Sequence, residues 1–431
     1  MIFSHGLGGN RNAYSHIAGS LASQGVVVLC PEHRDGSSAV SFIRNPDAQD
    51  RFFYRSRRRI VPYHRIPHTQ TPEVWDLRNQ QLKIRLWELG LVHEALLDID
   101  TGIARTNLNT STPAASVAQF ISKLHVQDPG SIMFGGHSFG AASIVQFLKS
   151  TYYAGTSELS AIKEPLFTPA LDSRLHAQIT PRNLTVLLDM WCFPLLAEST
   201  AALYHLPLPV YADVPSAPGG SALLAVESDT FYKWTEHLHV TARVLSPEPS
   251  APVVTPGAYE RPESRVKLPE PNFFYCQNSA HLNQSDFGVL FPWLTKKVFG
   301  LEEPERALRL NMRAILQLLR VNGVPVARTW VGDLVDGCDE GKLGVQDASG
   351  DKGLDDGIQD DKAIFDRSNS GVVEAWSWID IVGMGSESDD SGKSSQPEGV
   401  EGEREMEGEI EPQLSVEATA GTISATVSAA A

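Results

Sequence analysis

Ser138 stands in the stretch SIMFGGHSFGAASIVQFLKS, inside Gly136-His137-Ser138-Phe139-Gly140, with a strand-like apolar run before it and a helical pattern after it. A G-x-S-x-G at such a junction is a nucleophile elbow: the serine takes a strained turn, and small neighbours let strand and helix approach closely. A serine hydroxyl is a weak nucleophile at its own pKa, so it needs a base, and the base needs an orienting carboxylate. In enzymes built around this elbow the acid and then the histidine follow the serine. Asp189 ends the apolar run Leu184–Leu188, whereas Glu227 and Asp229 end the next run, Ala222–Val226, and strand order alone leaves the three open. For the base, His281 follows the aromatic run NFFYC in a Gln-Asn-Ser-Ala-His loop, the expected place for a late catalytic histidine. His237 and His239 lie in a helical or turn segment beside Trp234 and read as surface residues, and His205 precedes a proline-bounded loop. His5, His33 and His137 precede or adjoin the nucleophile and fit other roles. The oxyanion of an acyl-transfer intermediate needs two N–H donors, one of which is that of Phe139, the residue after the nucleophile. The opening stretch HGLGG supplies a loop for the other, with Leu7 as donor and Gly6, Gly8 and Gly9 letting the backbone turn.

Elements able to position these groups recur along the chain. Val26–Leu29, Ser131–Phe134 and Leu184–Leu188 are short apolar runs alternating with helical patterns, which predicts an α/β fold with a mostly parallel sheet covered by helices. Leu82, Leu86, Leu89, Val92, Leu96 and Ile99 recur at spacings of three and four, predicting a helix from about Trp75 to Ile99. A second helix is predicted over Pro304–Val321, with proline in its first turn and Gly323 just past its end. The Pro-, Gly- and Ala-rich stretch 206–222 and the proline-rich stretch 246–271 read as loops.

Charge divides the chain in two. Residues 331–431 hold 24 acidic against 6 basic residues, more than the whole net charge of −16, so residues 1–330 are close to neutral. That balance points to no nucleic-acid partner. We therefore expect a catalytic domain over 1–330 and an acidic, low-complexity, largely disordered tail over 331–431. Within the tail, VVEAWSWIDIV (372–382) carries two of the eight tryptophans and reads as a transient, non-specific apolar segment. Arg55, Arg57, Arg58 and Arg59, preceded by Phe52, Phe53 and Tyr54, read as a solvated loop, with contact to anionic head groups as the alternative. Cys30, Cys192, Cys276 and Cys338 lie far apart, with no metal-ligand spacing, so neither a metal site, another cofactor nor a disulfide framework is expected. The sequence shows no signal peptide and no long apolar span, which makes the cytoplasm the expected location unless a leader lies upstream of Met1.

Taken together, FSHGLGG, PEHRDGSS, GHSFGAASIVQFL, LLDMWCFPL and NSAHLNQSDF resemble the plasma-type (type II) platelet-activating factor acetylhydrolase family over about residues 1–300. The resemblance implies an α/β-hydrolase fold, with Ser138 as nucleophile, Asp189 as acid, His281 as base, and Leu7 and Phe139 as oxyanion donors. It also implies that Trp191, Phe193 and Leu282 border the substrate pocket. The implied reaction is calcium-independent release of an acetyl, short or oxidised sn-2 acyl chain from a phospholipid, while peripheral contact with a lipid surface rests on the alternative reading of the basic loop alone. Gly140-Ala141 stands where the family usually has Gly-Gly, and Leu282 stands where glutamine is common. Family members carry a substantial region before the strand that starts here at Met1, so the chain reads as truncated, lacking leading strands. Two alternatives follow: a carboxylesterase or lipase acting on other esters, and a truncated, non-catalytic lipid-binding or regulatory form.

Overall fold

The computed structural model describes residues 1–44, 58–103, 105, 112–261, 266–299, 303–327, 329–330, 358–359 and 361–385. Its centre is a six-stranded sheet in the order β1-β4-β5-β6-β7-β10. The strands are β1 (Ile2–Ser4), β4 (Phe134–His137), β5 (Thr185–Leu188), β6 (Leu223–Ser228), β7 (Asn272–Cys276) and β10 (Trp376–Trp378). The first five are parallel, and only β10 runs antiparallel, against β7. Strands 134–137, 185–188 and 223–228 are buried throughout, as a sheet covered on both faces requires. Val26–Leu29 forms no strand of its own; it lies along the outer side of β1, joined by the bridge Ile2↔Leu29 and by Phe3 N–H donating to Leu29 O (2.9 Å).

Helices α1 (Ser15–Ser23), α2 (Pro72–Thr101), α3 (Phe139–Tyr152), α4 (Thr235–Leu245) and α5 (Pro304–Val321) flank this sheet. The α2 helix starts where its sequence dictates: Thr71 accepts a capping bond from Val74 N–H, Pro72 occupies the first turn, and Gly102 closes the helix in the left-handed region at φ 78°. Its stripe Leu82, Leu86, Leu89 and Leu96 is buried, and α2 packs on α3 while α1 packs on α5. A hairpin of β2 (Val40–Arg44) and β3 (Arg58–Pro62) stands apart from the main sheet, as does the pair β8 (Thr329–Trp330) and β9 (Ile358–Gln359). Phe52, Phe53, Tyr54, Arg55, Arg57 and Cys338 lie outside the described residues, as do 386–431 and nearly all of 331–360. None of the described helices is long and apolar enough to cross a membrane.

The apolar segment 372–382 departs from its expected transient state. It docks as β10, pairing Trp376 with Cys276 and Trp378 with Phe274, so the sheet extends past the boundary that composition placed at 330. Val373, Trp376, Ile379 and Ile381 are buried, Trp376 stacks on Phe274 at 5.3 Å, and its Nε1–H donates to Ile364 O at 2.9 Å. A buried ion pair, Arg313 Nε to Asp361 Oδ2 at 2.6 Å, fastens the approach to this strand onto α5. The physical reason is the edge of β7, whose free backbone groups and aromatic face are covered once a strand is added. Trp376→Ala is expected to cost about 3 kcal/mol of stability, read as a lower denaturant midpoint in equilibrium unfolding.

Candidate active site

The parallel register brings the chemistry to one edge. Ser4 pairs with Gly136, His137 with Leu188 and Ser228 with Cys276, so the loops after β1, β4, β5, β6 and β7 leave from the carboxyl ends of neighbouring strands. Ligands bind at that edge of open α/β sheets.

Ser138 follows β4 directly and sits at φ 54°, ψ −121°, one of six non-glycine residues with positive φ among those described. The turn closes because its neighbours lack side chains: a Cβ on Gly136 would overlap the backbone of Gly140, and one on Gly140 would overlap the Ser4 carbonyl. Gly6 is equally close, since a Cβ there would stand 3.0 Å from Ser138 Cβ. The HGLGG loop is therefore packed against the serine. Among the described residues, no backbone acceptor meets the N–H of Leu7 or of Phe139.

Asp189 follows β5 directly, fully buried and at φ 40°. Its Oδ2 lies 3.0 Å from His281 Nδ1, and its Oδ1 accepts the Ser228 N–H. Because one carboxylate oxygen takes the backbone donor, the other is left to fix the imidazole. His281 begins a short 3₁₀ turn after β7, with Phe231 stacked flat on its ring at 4.4 Å and 7°. The competing carboxylates go elsewhere. Glu227 is buried against Asp189, and burial followed by the charge of Asp189 pushes its carboxyl well above the ordinary range. Asp229 pairs with Lys233 at 2.6 Å.

His137, Asp189 and His281 place one possible ligand atom each within 4.8 Å of one another. Asp189 serves His281 and Ser228 through its two oxygens, and His137 Nδ1 meets Tyr14 Oη at 2.8 Å. His237, expected at the surface, is buried; its Nε2 accepts the Cys192 N–H at 3.0 Å and steadies the segment that follows Asp189. His239 is not drawn into this cluster by any described hydrogen bond, and His205 is exposed. The remaining early histidines belong to the floor of the site. Neutral His33 donates from Nδ1 to Glu88 (2.9 Å) and accepts from Ser4 Oγ (2.9 Å), its pKa depressed by burial and then by Arg85.

Beside Ser138 an aromatic wall is built from the predicted pocket residues. Trp191 donates its backbone N–H to Ser138 O (3.3 Å), and its ring meets the Phe139 ring at 6.0 Å and stacks on Phe193 at 5.3 Å, which in turn stacks on Trp75 at 5.6 Å. Leu282, next to the histidine, is half-buried. Beneath lies a group that composition and spacing gave no reason to single out: Arg85, fully buried, its Nε 2.7 Å from Asp35 Oδ2 and its guanidinium 4.3 Å from the Phe139 ring centroid. Burial pushes Asp35 up, yet the charge and hydrogen bond of Arg85, with a hydrogen bond from Ser37, outweigh it and hold its carboxyl at about 2. The PEHRDGSS stretch is thus a polar support under the HGLGG loop, joined to it by Arg85, whose Nη1 donates to His5 O at 2.8 Å.

Parts of the chain are similar to known proteins. A family model described as platelet-activating factor acetylhydrolase, isoform II, matches residues 1–210. A putative phospholipase A2 of Schizosaccharomyces pombe (strain 972 / ATCC 24843) is 28% identical over 333 residues, covering 75% of this chain and 67% of that protein. The platelet-activating factor acetylhydrolase of Bos taurus is 32% identical over 180 residues, 39% of this chain and 38% of its own length. That of Cavia porcellus is 34% identical over 148 residues, 34% of this chain and 31% of its own length. The chain thus spans about a third of the length of these two mammalian relatives. Over residues 1–210 the chain is therefore similar to the platelet-activating factor acetylhydrolase, isoform II, family, and over a longer stretch to a phospholipase-named relative.

Proposed function

We propose that the protein is a serine esterase of α/β-hydrolase architecture that hydrolyses the sn-2 acyl ester of phospholipids carrying an acetyl, short or oxidised chain. The observation that carries this reading is the Asp189–His281 pair at 3.0 Å, held at the strand end beside the strained Ser138 turn, in a chain similar to this family. Ser138 Oγ attacks the ester carbonyl as His281 Nε2 takes its proton, while Leu7 and Phe139 N–H groups hold the oxyanion. The C–O bond to the glycerol carbon's oxygen then breaks, and His281 returns the proton to the lysophospholipid. A water activated by His281 cleaves the acyl-enzyme and restores Ser138. Asp189 keeps His281 in the Nδ1–H tautomer throughout, and the chain itself supplies every group these steps use. The wall of Trp191, Phe193 and Trp75 borders the acyl chain.

Two apolar surfaces suit contact with a lipid surface: Val40, Phe42 and Ile60 share one exposed face of the β2–β3 hairpin, and exposed Phe291 and Trp293 precede exposed Lys296 and Lys297. Tryptophan and lysine in that pairing match an apolar interior beneath anionic head groups.

The test is a substrate series on the purified full chain. Phosphatidylcholines with sn-2 acetyl, butanoyl and palmitoyl chains are compared with tributyrin and an aryl butyrate. A rate falling steeply with sn-2 chain length, above that for tributyrin, is the expected result. Preference for tributyrin or the aryl ester would replace the phospholipid reading with a general carboxylesterase.

A further inference from the structure

Gly6 is held by a side chain at each end of its main chain. Its N–H donates to Tyr14 Oη at 3.0 Å, and its carbonyl meets His5 Nδ1 at 2.8 Å. Since a carbonyl only accepts, His5 carries its proton on Nδ1, which leaves Nε2 to accept the His33 N–H at 3.1 Å, as it does. His5 is neutral, burial and then Arg85 depressing its pKa well below the ordinary value. Tyr14 Oη has one proton; having accepted from Gly6, it donates to His137 Nδ1 at 2.8 Å. His137 in turn is the residue before the nucleophile, its ring 4.4 Å from that of His281.

The consequence is geometric. No described peptide bond is cis, so the Leu7 N–H points opposite to the Gly6 carbonyl in one rigid plane. A carbonyl pinned by His5 therefore fixes the direction of the Leu7 N–H, and Tyr14 fixes the peptide before it. Gly6 itself has no side chain to resist rotation and cannot hold this orientation alone. Tyr14 is 2% exposed and packs its ring on Phe3 at 5.0 Å, so its hydroxyl is delivered by a fixed body.

We propose that Tyr14 and His5 are positioning residues that aim the Leu7 N–H at the developing oxyanion, and that Tyr14, through His137, ties this loop to the nucleophile elbow. The proposal rests on the esterase reading above and adds to it two residues that touch no substrate.

The experiment uses the full chain and compares Tyr14→Phe, His5→Ala, His5→Asn and Ser138→Ala with the parent. Tyr14→Phe keeps the ring and removes only the hydroxyl; His5→Asn keeps an N–H donor near the Nδ1 position. Four quantities are read below the unfolding midpoint of each variant: kcat and KM on a short sn-2 phosphatidylcholine, the rate of phosphonylation by a fluorophosphonate, and affinity for a non-hydrolysable ether analogue. Misaiming an oxyanion donor, as opposed to deleting it, is expected to lower kcat about 10- to 100-fold. Phosphonylation should slow in parallel, with KM and ether affinity within about twofold, and His5→Asn should recover part of what His5→Ala loses. Unchanged kcat in Tyr14→Phe, or a loss shared equally by ether affinity, overturns the positioning role while leaving the esterase reading intact. Turnover and labelling in the parent no greater than in Ser138→Ala would instead remove the esterase reading, and this proposal with it.

Discussion

Ser138→Ala lowers phospholipid ester turnover by about 10⁴- to 10⁶-fold and abolishes fluorophosphonate labelling, while the chain stays folded. The magnitude follows from the proposed role of Ser138: removing a nucleophilic serine leaves only what oxyanion donors and binding contribute. The folding part of the prediction follows from the backbone. Ser138 sits at φ 54°, ψ −121°, and alanine inherits that strain without adding to it. Glycine removes it. Ser138→Gly should therefore unfold at a higher temperature than Ser138→Ala, by the equivalent of about 1–2 kcal/mol, although both are inactive. If Ser138→Ala keeps more than about one per cent of the parent rate in a pure preparation, another residue is the nucleophile. If Ser138→Gly is no more stable than Ser138→Ala, the elbow turn stores no strain.

What could be read from the sequence, and what could not, divides by the range of the contacts. The α2 helix was legible because its start, stripe and stop are all local: Thr71 and Pro72, the leucines, and Gly102. The elbow was legible for the same reason, its glycines being required within two residues of Ser138. The acid is a different matter. Asp189 and Glu227 both lie at the ends of adjacent parallel strands, so local pattern treats them alike. Only the fold turns Asp189 to His281, 92 positions away, and leaves Glu227 against it. Tyr14 carries no motif, its second partner being 123 positions distant. His237 looked like a surface residue because its helix is amphipathic and charged, yet its face toward Cys192 is closed by the chain after Asp189. The docked strand at 376–378 was hidden by its acidic surroundings. Its apolar residues Val373, Trp376, Ile379 and Ile381 gain a buried face only beside the open edge of β7.

The two buried carboxylates give the second large effect, and with opposite outcomes from the same chemical change. Asp189→Asn should lower kcat about 10⁴-fold, for a reason that can be followed atom by atom. The Ser228 N–H must have an oxygen, so the amide oxygen of asparagine takes that side, and its NH₂ then faces His281 Nδ1. A donor there forces the imidazole proton onto Nε2, where a proton must instead be accepted from Ser138. Glu227→Gln should change kcat by no more than about threefold, since burial and the Asp189 charge already favour the neutral acid and glutamine is its neutral isostere. Stability gives an independent check with a definite sign. A carboxyl whose folded pKa is raised binds its proton more tightly in the native state, so its contribution is full below the unfolded value near 4.3 and is lost as pH rises toward the folded pKa. Glutamine does not titrate. The stability of Glu227→Gln relative to the parent should therefore increase between pH 5 and pH 8, by up to about 1.4 kcal/mol per pH unit, measured by urea unfolding at each pH. A glutamine variant as inactive as Asp189→Asn, with a stability difference independent of pH, would mean that Glu227 works as a carboxylate and shares the orienting role with Asp189.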